Sequence, residues 1–238
     1  MTATPLSVPR LRFFTAPASA LAVVLITACG GSPADAAPKA ASCFADAAAD
    51  PCSLLTAEHV RKIAGDIGEL QGENSTFGRT TSCDYRWSGS RKMTMQVGTM
   101  TFENPIDDEA TLSIETFAEN AEKAKARFTA AYRPRSQEEQ AKSAESLSET
   151  AAEAVDAEHQ EMARDFARSM VSKINYETMN EPGLGDAAAW GGLPKTRTLQ
   201  VLVGNQALSV NLKRSDDDAT HKADSIALAR ELLKDCGA

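Results

Sequence analysis

Two segments near the carboxyl end show the clearest alternation of hydrophobic and polar positions in the chain. Apolar residues recur at every second position in residues 198–203 and again in residues 207–213. Alternation with a period of two is typical of a strand that buries one face. Gly204 and Asn205 lie between the segments and suit a tight reversal, so the pattern predicts a β-hairpin.

Weaker alternation predicts further strands. Residues 82–87 and 92–99 predict a second hairpin, in which Met93 and Met95 take alternate positions, and residues 185–190 predict another strand. We expect the two methionines in the hydrophobic core, where methionines that alternate along a strand are usually found. A copper site that uses their sulfur atoms is the alternative.

Apolar residues three and four positions apart predict helices on either side of these strands. A short helix follows Thr56, which suits the N-cap position, and ends at Gly65. An amphipathic helix over residues 219–233 closes the chain. Together these elements predict an α+β fold, with a mainly antiparallel sheet and helices packed on it.

Residues 107–178 are rich in Ala, Glu, Lys and Gln, with no glycine and one proline, Pro134. They predict a long α-helical hairpin insertion, whose second helix begins with a capping box of Ser136 and Glu139. The apolar positions of the first helix are spaced as in a paired helix: Ile114, Phe117, Ala121, Ala124, Phe128 and Ala131. The apolar face of the second helix comprises Leu147, Ala151, Val155, His159, Met162, Phe166, Met170 and Ile174.

Two paired helices that project from a sheet domain predict a partner-binding arm. The alternative is a solvated helical surface, because the insertion carries 16 acidic and nine basic residues. His159 on the apolar face is either simply packed or a ligand or pH sensor.

The first 28 residues predict a lipoprotein signal peptide. Arg10 and Arg12 precede an apolar run over residues 13–26, and small residues lead up to Cys29. We expect lipidation of Cys29, with acyl chains such as palmitate; an ordinary cleaved signal peptide is the alternative. The apolar run is shorter than the about 20 residues that a membrane-spanning helix needs.

The expected lipid anchor places the protein in the cell envelope. Gly30, and not aspartate, follows the cysteine, which favours the outer membrane in a Gram-negative cell and otherwise the outer face of the plasma membrane. Residues 29–42 comprise the lipidated cysteine and small or polar residues interrupted by proline, so they predict a disordered tether. A single domain over residues 43–238 follows.

Four cysteines remain for disulfides in an oxidising compartment. They allow three pairings, and the sequence alone does not choose among them. We favour Cys52 with Cys83, and Cys43 with Cys236, because the second bond would join the two ends of the domain. The spacings fit no zinc motif.

Three short motifs carry a family resemblance. The runs DPCSLLT at residues 50–56, SCDYRW at residues 82–87 and GLGDAAAW at residues 183–190 resemble a family of uncharacterised secreted bacterial lipoproteins, over roughly residues 50–100 and 181–236. The resemblance implies a Cys52–Cys83 disulfide and an antiparallel-sheet domain similar to extracellular sensor modules. It brings no catalytic residue and no cofactor, and the long helical insertion departs from the family pattern.

The chemistry of the chain favours binding over catalysis. Loss of the leader removes two arginines and no acid, so the net charge goes from −8 to −10 and neither nucleic acid nor anionic lipid is an expected partner. There are three histidines and no motif of a serine hydrolase or zinc protease. We expect no enzyme activity, cofactor or metal, although the acidic run at residues 215–218 leaves calcium as an alternative to a helix cap.

The sequence therefore predicts a non-catalytic envelope lipoprotein that binds a protein or glycan partner through its helical hairpin. The alternative is a small-molecule or metal-sensing module with a ligand pocket near Trp87 and Trp190, although tryptophans in a sheet usually anchor the core. A carboxylate-dependent hydrolase is the third hypothesis, since acids are plentiful.

Overall fold

The structure is a computed structural model that describes residues 33–77 and 80–238. Its helices are α1 (Pro33–Ala47), α2 (Ala57–Ala64), α3 (Ala121–Ala131), α4 (Gln137–Glu153), α5 (Gln160–Val171) and α6 (Asp218–Asp235). Its strands are β1 (Gly72–Phe77), β2 (Thr80–Trp87), β3 (Lys92–Val97), β4 (Met100–Pro105), β5 (Asp108–Thr116), β6 (Asn175–Met179), β7 (Ala187–Gly192), β8 (Thr198–Val203) and β9 (Gln206–Lys213).

Seven strands form one antiparallel sheet in the order β1-β2-β5-β9-β8-β7-β6, and β3 pairs with β4 in a separate two-stranded ribbon. The predicted α+β class is confirmed. The predicted hairpin is also present, since β8 and β9 pair with Val203 opposite Gln206 across the Gly204-Asn205 turn. Gly204 has a φ of +59°, a left-handed conformation that favours glycine.

The two faces of the sheet carry separate hydrophobic clusters. On one face, helices α1, α2 and α6 pack on a large core that includes Leu112, Leu199 and Val210. On the other, α3 covers a smaller cluster, in which Phe117 and Phe128 meet Ala189, Leu202 and Ala207.

The predicted tether is wrong for the part that the structure describes, because residues 33–42 belong to α1. Ala40, Phe44 and Ala47 are buried at helical spacing. The sequence suggested a flexible linker because the buried face of α1 consists largely of alanine. The small alanine side chain lets the α1 backbone lie close to the β8–β9 turn. A Cβ added at Gly204 would lie only 2.8 Å from the Cβ of Ala41.

The predicted helical insertion over residues 107–178 is too long, because its first part is the central strand β5. Ala110, Leu112 and Ile114 are buried and alternate with partly exposed polar residues. The residues after β5 have a helix-forming composition. This composition obscured the alternation of buried and polar residues at the start of the segment. The insertion consists of α3, α4 and α5, and β6 follows it.

The two predicted disulfides are present, Cys43–Cys236 and Cys52–Cys83. The first joins α1 to the residue that follows α6, and the second joins the turn after α1 to the middle of β2. The predicted N-caps are confirmed as well: Thr56 caps α2, and Ser136 forms a capping box with Glu139 at the start of α4.

The two ends of the sheet carry different connections. We call one the Gly204 end, where the β8–β9 turn lies, and the other the Lys213 end, where β9 ends opposite the start of β5. The ribbon β3–β4 connects Trp87 to Asp108 and so leaves the sheet at the Lys213 end. Helix α3 leads from the Gly204 end to Tyr132, whose ring lies against Tyr176 on β6, so α4 and α5 also leave at the Lys213 end.

Candidate functional site

Exposed large hydrophobic side chains gather on two projections from the sheet. In the part of the chain that the structure describes, they all lie on the β3–β4 ribbon or on the α4–α5 hairpin. They are Met93, Met95, Met100 and Phe102 on the ribbon, and Leu147, Val155, Met162 and Phe166 on the hairpin. Such concentration of apolar surface is typical of a binding site.

Helices α4 and α5 pack against each other through small side chains. Ala144, Ser148 and Ala152 of α4 are buried, as are Ala167 and Val171 of α5. The sequence predicts one continuous second helix with its apolar residues on one face. The structure divides this segment between α4 and α5, and Leu147, Val155, Met162 and Phe166 are exposed. The small residues take the contact between the helices, which leaves the large ones on the surface.

The outward face of α4 and α5 forms an apolar groove, the α4–α5 groove. Its volume is about 840 Å³, and it lies where the two helices meet. Its lining combines apolar residues with two acids and one histidine: Glu153, Ala154, Val155, Asp156, His159, Met162, Ala163 and Phe166. Phe166 has 65% of its surface exposed.

The surroundings of this groove are strongly negative. Residues 137–171 contain nine acidic residues and three basic ones. Arg168 is engaged, because its Nη2 lies 3.1 Å from a carboxylate oxygen of Glu145 across the two helices. The groove thus offers apolar contacts inside an acidic border.

The β3–β4 ribbon is amphipathic. Met95 lies opposite Phe102, and both are exposed on the same face as Met93 and Met100. The other face carries an ion pair of 2.8 Å between Lys92 and Glu103.

Two predictions for this region are wrong. Residues 92–97 pair with β4 and not with β2, and Met93 and Met95 are exposed by 46% and 42% instead of lying in the core. The alternation correctly indicates a strand, but in the described residues no helix or further strand covers its apolar face. A two-stranded hairpin alone is marginally stable.

A buried ion pair fixes the base of the ribbon to the sheet. Arg91 Nε lies 3.3 Å from Asp108 Oδ1, and the other guanidinium nitrogens donate to the backbone oxygens of Lys213 and Asp107 at 3.1 and 2.9 Å. Burial raises the pKa of Asp108, and the charge of Arg91 opposes this effect. The ribbon is therefore held firmly at its base.

Further polar groups lie beside this pair at the Lys213 end. His221 on α6 is buried, with Nε2 2.5 Å from Asn211 Oδ1 and its ring against Trp190 at a centroid distance of 4.9 Å. Burial, aided by the charge of Lys213, lowers the pKa of His221 to about 4. The imidazole is consequently neutral at neutral pH.

Trp87 and Trp190, the predicted pocket residues, are both buried in the large core. They lie on β2 and β7, which are separated by three strands, or about 19 Å at ordinary strand spacing. The structure therefore does not bring them together around one pocket. The indole Nε1 of Trp190 has no hydrogen-bond partner among the described residues.

The remaining candidate residues have separate positions. His159 is exposed at the edge of the α4–α5 groove. His59 joins α2 to α6, since its Nε2 lies 2.8 Å from Asp235 Oδ2 while Nδ1 contacts the Thr56 hydroxyl. In the acidic run, Asp217 caps α6 and Asp218 pairs with Arg197.

Sequence reasoning missed two features of possible chemical interest. One is the pairing of Glu73 with Asp84 across β1 and β2, where both line a cavity of about 220 Å³. The other is Lys213, which is buried at the end of β9. The first could have been found from correct strand register, whereas burial of a lysine has no signal in the sequence.

Residues 33–77 and 80–238 bear on the metal and membrane predictions. No group of three or more His, Cys, Asp and Glu side chains there could hold a metal ion. None of the helices in that part is long and apolar enough to cross a membrane. Cys29 and the predicted signal peptide lie outside the described residues.

Comparison of the chain with protein-family models, with curated proteins and with solved structures found no match. The resemblance to secreted lipoproteins therefore remains a prediction from the short motifs.

Proposed function

We propose that the protein is a non-catalytic, lipid-anchored module of the cell envelope that binds a protein partner through the α4–α5 groove and the β3–β4 ribbon. The observation that carries this proposal is the gathering of exposed Met, Phe, Leu and Val side chains on the two projections. Methionine suits such a surface, since its flexible side chain adapts to different partners.

The charge of the α4–α5 hairpin supports a protein over a membrane surface as the occupant of the groove. Its excess of six acidic residues opposes approach to anionic lipid headgroups. The same charges would attract a partner whose apolar segment is bordered by lysine or arginine. An amphipathic basic helix has this chemistry, and helices commonly bind in apolar grooves.

The position of α1 also supports this arrangement. Cys29 precedes Pro33 by four residues, which span at most about 14 Å. Helix α1 meets Gly204 at one end of the sheet, whereas both projections leave at the other end, one strand length or about 30 Å away. A lipid on Cys29 would then hold the domain to the bilayer through a short connection.

A hydrolase that uses Glu73 and Asp84 is the second candidate function. The two residues are direct cross-strand partners, so two carboxylates converge in one cavity. However, the oxygens of Asp84 already accept hydrogen bonds from Ser75, Ser82 and Thr111, which supports a structural role. Release of reducing sugar from envelope polysaccharide that is lost in Asp84→Asn would favour this candidate.

Membrane fractionation tests the anchor. The wild-type protein should sediment with membranes, and Cys29→Ala should release it or leave it unprocessed. Ser32→Ala is the matched control and should behave as the wild type. Equal sedimentation of the wild type and of a Cys29→Ala protein whose signal peptide has been cleaved would contradict lipid anchoring.

Crosslinking in intact envelopes tests the partner. We expect a discrete crosslinked species with the wild type that is lost in the double variant Met162→Ser and Phe166→Ser. The matched control, Ser146→Ala and Thr150→Ala, changes exposed polar positions of α4 and should retain the species. A species that survives the apolar double variant would contradict docking in the groove, and a species sensitive to glycan hydrolase would identify a glycan instead.

A further inference from the structure

Among the buried charged side chains at the Lys213 end of the sheet, some have an oppositely charged partner and Lys213 has none among the described residues. Buried charged side chains in the described residues include Arg91, Asp108, Lys213 and Asp224. Arg91 pairs with Asp108, and Asp224 pairs with Arg214. Lys213 has no carboxylate within 4 Å among the residues that the structure describes, although only 8% of its surface is exposed.

The ammonium of Lys213 has one hydrogen-bond acceptor, the backbone carbonyl oxygen of Lys195. A lysine ammonium has three donors, so two are available. Burial of an unpaired charge is costly, because the protein replaces only part of the hydration that is lost. An anion beside Nζ would remove this cost.

Lys213 lines a cavity that could hold such an anion. The cavity has a volume of about 230 Å³ and lies between the β7–β8 loop and the start of α6. This corresponds to the liquid volume of about eight water molecules, and thus to a small organic molecule. Its lining combines cations, acids and one histidine: Pro194, Lys195, Arg197, Lys213, Ser215, Asp216, Asp218 and His221.

The charges of the lining favour a monoanion. Lys195, Arg197 and Lys213 supply three positive charges, and Asp216 and Asp218 supply two negative ones, while His221 is neutral. Arg197 and Asp218 lie 2.5 Å apart and largely neutralise each other. A phosphate dianion would be repelled by Asp216. A carboxylate would bring one negative charge to a lining whose net charge is +1.

The backbone at Lys195 is an independent sign of a specialised site. Its φ is +71°, the one positive φ of a non-glycine residue in the described part of the chain. Such strained conformations cluster where binding sites are formed. Here the strained residue supplies both the carbonyl group that orients the Lys213 ammonium and a second cation at the same cavity.

We propose that this cavity binds a small organic carboxylate, whose carboxylate group pairs with the ammonium of Lys213 and whose polar substituent reaches Asp216. A hydroxyl or amino group would serve as that substituent, since Asp216 accepts hydrogen bonds. The cavity shares no lining residue with the α4–α5 groove, so carboxylate binding can be tested independently of partner binding.

The test is calorimetric titration of the full, oxidised chain with acetate, lactate and inorganic phosphate. We expect saturable binding of lactate, weaker binding of acetate and the weakest binding of phosphate. Lys213→Met should lower the affinity for lactate at least tenfold. Lys222→Met removes a partly exposed lysine that follows His221 on α6 and pairs with Glu177 of β6, and it should leave the affinity unchanged.

A stability measurement separates a binding role from a structural one. Without ligand, Lys213→Met should be at least as stable as the wild type, since methionine has a similar length and needs no partner. Saturating lactate should raise the melting temperature of the wild type but not that of Lys213→Met. Absence of lactate binding, tighter binding of phosphate, or unfolding of both Lys213→Met and Lys213→Gln would overturn the proposal.

Discussion

The rings of Tyr132 and Tyr176 meet in a T-shaped contact with their centroids 5.1 Å apart. Tyr132 follows α3, and Tyr176 lies on β6, so the contact joins the two points at which the α4–α5 hairpin leaves the domain. Burial, together with the neighbouring Tyr176, raises the pKa of Tyr132 to about 12. The hairpin is thus attached at one narrow base, which a neutral pair of phenols holds together.

Excision of the hairpin should therefore leave the domain folded. We expect a variant in which a short Gly/Ser linker replaces residues 133–174 to retain a cooperative thermal transition and the circular dichroism of the sheet. Removal of residues 107–178 should instead abolish folding, because it deletes β5 from the centre of the sheet. Loss of cooperative folding in the 133–174 variant as well would show that the hairpin supports the core.

Two phenylalanines of the insertion should differ sharply in their effect on stability. Phe128 on α3 is 2% exposed and packs against the sheet, whereas Phe166 is exposed in the groove. Phe128→Ala should lower the free energy of unfolding by about 3–5 kcal/mol. Phe166→Ala should change it by less than about 0.5 kcal/mol. Urea denaturation measures both, and a large cost at Phe166 would mean that the groove is filled by the protein itself.

The two disulfides should contribute unequally to stability. They close loops with sequence separations of 193 for Cys43–Cys236 and 31 for Cys52–Cys83. The loop-entropy model gives about 5 and about 4 kcal/mol for these lengths. Paired Cys→Ser variants should lose stability in that order in urea denaturation. A larger loss at Cys52–Cys83 would indicate that local packing around Cys83 matters more than loop length.

Stability should depend on pH through His221. The ordinary pKa of histidine is about 6.5, and the folded value is about 4, so between these values the unfolded chain binds a proton that the folded chain does not. The free energy of unfolding should therefore fall as the pH is lowered from about 6.5 to about 4, by on the order of 2–3 kcal/mol from this group.

His221→Gln should reduce this pH dependence, since glutamine does not titrate and can still bond to Asn211. His159→Gln is the matched control, because His159 is exposed, and it should retain the wild-type profile. Thermal melts from pH 4 to pH 7 provide the comparison. Identical slopes for His221→Gln and the wild type would contradict a buried, neutral His221.

Sequence signals correctly predicted the turns and helix ends that depend on a few adjacent residues. The Gly204-Asn205 turn, the Thr56 cap and the Ser136–Glu139 capping box are examples. These features depend on a few neighbouring residues, so tertiary structure did not alter them.

The other elements depend on contacts that a sequence does not display. Ala40 and Phe44 are buried because α1 packs on the large core, with Ala41 beside Gly204. Leu112 lies in β5, whose alternation is obscured by the helix-forming composition of the residues that follow it. Met93 is exposed because no helix or further strand covers the apolar face of the ribbon in the described residues. Whether Lys213 has an ionic partner depends on residues that are far from it in the chain. Partner binding by the helical insertion stays a prediction from the sequence, and the small residues that form the α4–α5 contact were not identified from it.

Photocrosslinking from defined positions tests the central claim that the α4–α5 groove binds a protein. A photoreactive residue at Phe166 or Met162 should give the same protease-sensitive adduct in intact cells. One at Glu138, which is exposed on the first turn of α4 and lies about 22 Å along the helix from Glu153, should give none. Adducts of equal yield from position 138, or lipid adducts alone from position 166, would contradict the claim.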